Sequence, residues 1–156
     1  MQLIQATTTE EMDLVRTLFE EYAAGLGFSL CFQSFDQELA ELPGRYAPPW
    51  GRLLLAYQDD APAGCVGLRK LDEETCEMKR LFIRSEFRKH GLGKVLVQRL
   101  IDEARRIGYK RMRLDTVPGV MDPAIRLYED LGFDEIPPYY DNPFDDVKYM
   151  ELSLMK

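Results

Sequence analysis

Long apolar runs are missing from this sequence of 156 residues. None approaches the ~20 consecutive apolar residues that a membrane-spanning helix requires, so no membrane partner is expected. Residues 1–10 show no basic start leading into an apolar stretch, and no signal peptide is expected. Cysteine is scarce. Cys31, Cys65 and Cys76 are odd in number, scattered, and without CxxC spacing. That excludes a disulfide framework and a zinc site, predicts no metal, and points to a reducing cytoplasm. Positive charge is in deficit, with a net charge of −7. The deficit speaks against nucleic acid or an anionic membrane surface as the main partner. It suits an amine-bearing substrate, and it equally suits plain solubility. Internal repeats and low-complexity tracts are absent too.

What is present is an ordinary globular composition, 46% hydrophobic and 30% charged, at a length that suits one domain over residues 1–156. Residues 2–6 read as a short strand. Thr7, Thr8 and Thr9 followed by Glu10 and Glu11 offer a helix cap with a capping box. Met12, Val15, Leu18, Phe19 and Tyr22 then recur at helical spacing. Residues 35–42 form a second short helix, stopped by Pro43 and Gly44. Strands follow at 52–57, 64–69 and 75–83. A long helix at 91–107 carries Leu92, Val95, Leu96, Leu100, Ile101 and Ala104 as its apolar stripe. A strand at 111–116, a helix at 121–131, a short strand at 134–136 and a last strand at 147–154 complete the order. The class is α/β (α+β): one mixed sheet covered by helices.

Residues 79–94 break the acidic pattern. Lys79, Arg80, Arg84, Arg88, Lys89 and Lys94 face only Glu86, and the single histidine, His90, lies among them. Such an island suggests an anionic ligand. Within it, Arg88-Lys89-His90-Gly91-Leu92-Gly93-Lys94 sits between a predicted strand and a predicted helix. Glycines allow a tight turn and close backbone approach. The orphan amides of a helix start favour phosphate. The P-loop pattern GxxxxGK(S/T) fails here, because Val95 follows Lys94 and Arg88 occupies the first glycine position. The dinucleotide pattern GxGxxG lacks its third glycine. A solvated surface turn remains the other reading of the motif alone.

Two further stretches accompany it. Glu77-Met78-Lys79-Arg80-Leu81-Phe82-Ile83 precedes the glycine turn, and Ala124-Ile125-Arg126-Leu127-Tyr128-Glu129-Asp130-Leu131-Gly132-Phe133 follows it. In order and spacing the three resemble the fourth strand, the pyrophosphate loop and the A-x-x-L-Y-x-x-x-G-F segment of the GNAT acyltransferase superfamily. The resemblance covers roughly residues 50–135. It implies a mostly antiparallel sheet of about six to seven strands with about four helices. It also implies acetyl-CoA as cofactor and direct acetyl transfer to a primary amine.

Several roles follow from the resemblance. Arg88, Lys89, His90, Gly91, Leu92, Gly93 and Lys94 would hold the cofactor's pyrophosphate. Leu81, Phe82 and Ile83 would present a backbone N–H to the thioester oxygen and pair with the pantetheine arm. Glu77 would be a general base, or else a charge on the strand's solvent face. Tyr128 would donate to the departing thiolate, or serve as a core aromatic, or both. Cys76 beside Glu77 would have its thiolate disfavoured, and Cys65 reads as a buried apolar residue. Residues 137–146 and 28–35 would flank the acceptor. Their aromatic and acidic side chains suit a cationic amine, whereas Arg45 or Arg52 would suit an amino-acid carboxylate. The leading acceptor is a small amine or amino acid. A protein lysine or N-terminus, and a silent CoA-binding module, are the alternatives. A homodimer is open.

Overall fold

The computed structural model describes residues 1–26, 30, 34–88, 90–119, 121–142 and 146–155. Strand β1 (Gln2–Gln5) leads into helix α1 (Thr9–Ala24). The capping box forms as expected. The Glu11 N–H donates to the Thr8 hydroxyl at 3.1 Å, and the Thr8 N–H donates to the Glu11 carboxylate at 3.0 Å. Helix α2 (Phe35–Glu41) is short and leads to the strands β2 (Arg52–Gln58), β3 (Ala61–Lys70) and β4 (Thr75–Ile83). These make an antiparallel meander. Helix α3 (Leu92–Ile107), strand β5 (Arg111–Thr116), helix α4 (Asp122–Asp130), and strands β6 (Asp134–Ile136) and β7 (Lys148–Ser153) follow.

All seven strands form one sheet in the order β1-β2-β3-β4-β5-β7-β6. Only β4 and β5 run parallel, because α3 carries the chain back across the sheet between them. Each face has its own core. One packs Leu96, Val97, Leu100 and Ile101 of α3 onto Leu54, Val66, Met112 and Leu114. The other packs Val15, Leu18 and Phe19 of α1 onto Leu53, Leu55 and Cys65. The alternation along β2 therefore serves both faces, which is why that strand reads as a continuous apolar run. One expected core position differs. Val95 is 37% exposed, and Val97 is fully buried instead. With Leu92, Leu96 and Leu100 fixing the stripe at a spacing of four, position 95 turns outward.

Candidate active site

The parallel pairing of β4 with β5 is confined to Thr75, Cys76 and Glu77 against Arg111, Met112 and Arg113. Beyond these residues the strands part. β4 stays paired to β3 on one side and β5 to β7 on the other. The inner edges of Met78–Ile83 and Leu114–Thr116 thus face a wedge rather than each other. A cleft of about 410 Å³ fills this wedge.

A bulge shapes the β4 wall. Between the pairs Cys65↔Phe82 and Gly67↔Lys79, β4 holds one residue more than β3. Arg80 absorbs the extra length with a left-handed φ of 61°. An L-residue there costs roughly 1–2 kcal/mol. The Cys65 thiol donates to the Arg80 carbonyl, and the Arg80 fork holds Glu38 at 3.1 and 3.0 Å. In a regular strand consecutive side chains would point to opposite faces. Here Lys79 pairs with Asp115 at 3.5 Å, and Arg80 lies over the rings of Tyr22 and Phe35, so both occupy the α1 side. Met78, Leu81 and Ile83 go to the α3 side.

The glycine turn meets the mouth of the wedge. Gly91 caps α3 with φ 72°, and a Cβ there would touch nothing within 4 Å. Conformation, not space, calls for glycine at this position. The first helical bond runs from the Val95 N–H to the Gly91 carbonyl at 3.2 Å. The amides of Leu92, Gly93 and Lys94 precede it, have no helical acceptor, and carry partial positive charge. Gly93 lines the cleft, and a Cβ on it would stand 3.8 Å from Leu127 and 3.9 Å from Ile83. Arg88 folds back to donate from Nε to the Ile83 carbonyl at 2.9 Å, with its guanidinium 6.0 Å from the Phe82 ring centre. This anchors a cation at the end of β4, against the cleft.

Six of the expected catalytic and cofactor-binding residues line this one space: Leu81, Phe82, Ile83, Arg88, Gly93 and Tyr128. His90, Gly91 and Lys94 are exposed on the turn, and Leu92 is buried in the core, so only its backbone is available there. Lys89 lies outside the described residues, as do Cys31, Phe28 and Phe32 of the 28–35 loop, and residues 143–145.

Tyr128 packs its ring on Phe133, with centroids 5.6 Å apart. Its hydroxyl has no hydrogen-bond partner among the described residues, and the side chain borders the cleft. Burial pushes the phenol up, and the neighbouring Tyr22 and Asp115 push it further. Tyr128 is therefore a neutral O–H donor at any physiological pH, aimed by its packing.

Glu77 is not a solvent-face residue; it is 1% exposed. One carboxylate oxygen accepts from Arg69 Nε at 2.7 Å, the other from the Tyr139 hydroxyl at 2.6 Å. It lies where β4 and β5 are still paired, one residue before the wedge opens, and does not line the cleft. Among the described residues the carboxylate that does line it is Asp115 of β5. Asp115 accepts from the Tyr140 hydroxyl and pairs with Lys79. Burial alone would raise its carboxyl; Lys79, the Tyr140 hydrogen bond and Arg80 outweigh that and hold it low.

The basic island divides accordingly. Lys79, Arg80 and Arg84 are held by Asp115, Glu38 and Glu21. Arg88 and Lys94 are the members left beside the turn. Arg52 donates to the carbonyls of Pro49 and Gly51, and Arg45 to that of Lys70; neither lines the cleft. Cys65 and Cys76 are free and buried. Burial raises both thiols, and Glu77 adds to the effect at Cys76. Among the described residues no cluster of three metal-ligating side chains occurs, and no helix is long and apolar enough to cross a membrane. The sequence reading missed Asp115. The alternation of Met112 and Leu114 places position 115 on the face opposite the α3 core, but nothing in the sequence places that face beside Tyr128.

Comparison with known proteins agrees with this geometry. Residues 14–133 match the family described as Acetyltransferase (GNAT) family. An uncharacterised N-acetyltransferase of Schizosaccharomyces pombe is 40% identical over 149 residues, covering 94% of this chain and 91% of that protein. A crystal structure of an acetyltransferase from Streptococcus agalactiae superposes with a TM-score of 0.80 at 19% identity, covering 97% of each chain. A candidate acetyltransferase from Salmonella typhimurium, solved with its cofactor acetyl-CoA, gives a TM-score of 0.73 at 21% identity, covering 100% of this chain and 95% of that one.

Proposed function

The chain belongs to the GNAT acetyltransferase family, and from its cleft we propose that it moves an acetyl group from acetyl-CoA directly to a primary amine of a small molecule or amino acid. The observation that carries this reading is the convergence of three elements on one wedge. They are the unpaired edge of β4, the first turn of α3, and Tyr128. The residues fit the cofactor, which the Salmonella relative also holds. Acetyl-CoA would supply a thioester activated for attack by nitrogen.

The amides of Leu92, Gly93 and Lys94, with Arg88, would hold its diphosphate at the helix start. The open β4 edge at Leu81, Phe82 and Ile83 would pair with the extended pantetheine arm and aim an N–H at the carbonyl oxygen. Tyr128 would give its proton to the thiolate as the carbon–sulfur bond breaks. Glu77 accepts from the Tyr139 hydroxyl, and neither residue lines the cleft; as base it would take the acceptor's proton through water. Free thiols at Cys65 and Cys76 support a reducing cytoplasm as its location.

A thiol-release assay with acetyl-CoA against paired panels of amines, amino acids and peptides tests the proposal. Release of CoA thiol with one or more amines or amino acids is expected. Release with peptides alone would move the function to protein acetylation. Silence of every panel would remove the catalytic reading.

A further inference from the structure

The bulge at Arg80 does something that the transfer chemistry alone does not require. It puts two consecutive cations, Lys79 and Arg80, on the same side of β4, at the inner end of the cleft. Asp115 faces them from β5, across the wedge. Among the described residues these three are the charged ones lining the cleft apart from Arg88, which would belong to the cofactor side. Around them stand Tyr22, Leu26, Leu30, Met121 and Asn142.

The groups are fixed. Arg80 is gripped by Glu38 through Nε and Nη2, which leaves Nη1 out of the fork. Glu38 itself accepts from the Tyr46 hydroxyl at 3.1 Å, and it lies outside the cleft. The Tyr140 hydroxyl donates to Asp115 and so favours its ionised form. The site therefore offers a carboxylate and two cations within one small, largely apolar space. Charges of one sign alone would select a simple cation or a simple anion. A carboxylate facing cations selects a ligand that carries both signs close together.

Resting on the acetyltransferase reading above, we propose that the acceptor is a zwitterionic α-amino acid. Its ammonium is drawn to Asp115, and its carboxylate to the Arg80 guanidinium beside Lys79. The side chain extends over Tyr22, Leu26, Leu30 and Met121, which favours an apolar or aromatic one. Proton removal from the ammonium stays with Glu77 through water, as proposed above.

The test pairs each amino acid with its decarboxylated amine, such as phenylalanine with phenethylamine and leucine with isoamylamine. kcat/KM is measured for wild type, with acetyl-CoA-induced thermal stabilisation measured alongside. Amino acids are expected to exceed their amines by about tenfold or more, and the contrast is carried by KM. Arg80→Gln is expected to erase the contrast while the acetyl-CoA shift persists. Arg80→Lys is expected to restore part of it, and either variant is read only where its melting is cooperative. Amines equal to or better than their amino acids in wild type overturn the proposal and leave the transferase standing. Stabilisation by acetyl-CoA with no acetylation of any amino acid does the same. Absence of stabilisation removes the transferase reading as well.

Discussion

Tyr128 combines two demands that pull against each other. Its ring is held by Phe133 and the α3-side core, while its hydroxyl borders the cleft without a partner among the described residues. Tyr128→Phe keeps the packing and removes only the proton donor. We expect kcat to fall by about 100- to 10,000-fold, the range that one positioned proton donor supplies. The KM for acetyl-CoA and the melting temperature should stay near wild type. Steady-state kinetics and thermal melts check this, and an unchanged kcat takes Tyr128 out of the chemistry. Asp115 makes the second residue-level case. Its carboxyl lies below the ordinary value, so it contributes stability above about pH 4 that is lost as pH falls through its native pKa. Tyr140→Phe deletes one cause of that depression. A hydrogen bond to a charged group contributes about 1.5–3 kcal/mol. The variant should therefore be destabilised by about that amount at pH 7. The gap from wild type should narrow as pH falls below about 4, because Asp115 protonates first in the variant and only at its lower native pKa in wild type. Denaturant melts at the two pH values test it, and a gap independent of pH assigns the loss to packing.

Among the elements, α3 bears the most testable geometry. Gly91 adopts φ 72° in open space. Gly91→Ala meets no clash, so its cost is conformational, about 1 kcal/mol. If the turn also presents the α3 amides to phosphate, the KM for acetyl-CoA should rise severalfold more than the stability loss implies. A change confined to melting temperature would leave Gly91 a structural cap. Helix and strand positions were largely legible in the sequence, because local signals set them. Thr8 and Glu11 announced α1, and the strands Thr75–Ile83, Arg111–Thr116 and Asp134–Ile136 read correctly to the residue. The convergence of Leu81, Phe82, Ile83, Arg88, Gly93 and Tyr128 on one cleft was legible for the same reason, since they lie in three short contiguous motifs. The charged inner end of that cleft was not. Asp115 meets Lys79 across 36 positions of sequence, and Arg80 changes face through a bulge that no residue pattern marks. Glu77 was placed on the right strand, and its burial under Arg69 and Tyr139 depends on partners 8 and 62 residues away.

For the whole molecule, the wedge divides the sheet between two supports. β1 to β4 lie between α1 and α3, while β5 pairs with β4 through three residue pairs at the apex and, with β7, shares the α3-side core. A ligand that spans the wedge ties the two parts together and binds only the native state. Acetyl-CoA at about 100 times its Kd should add about 2.7 kcal/mol. For a chain of this length that corresponds to a rise of roughly 5–10 °C in melting temperature. Differential scanning calorimetry across a concentration series checks it, and a concentration-independent Tm contradicts the binding site.

The parted strands carry one more consequence. Exposed strand edges usually lie at the rim of a sheet, where they invite other chains to add on and aggregate. Here two such edges lie inside the molecule, flanked by α1 on one face and by α3 and α4 on the other. A folded neighbour cannot lay a strand into so narrow a slot, whereas a thin, flexible arm can enter it lengthwise. Recessing these two edges thus leaves them open to a thin, extended guest and closed to strand addition by other copies of the protein.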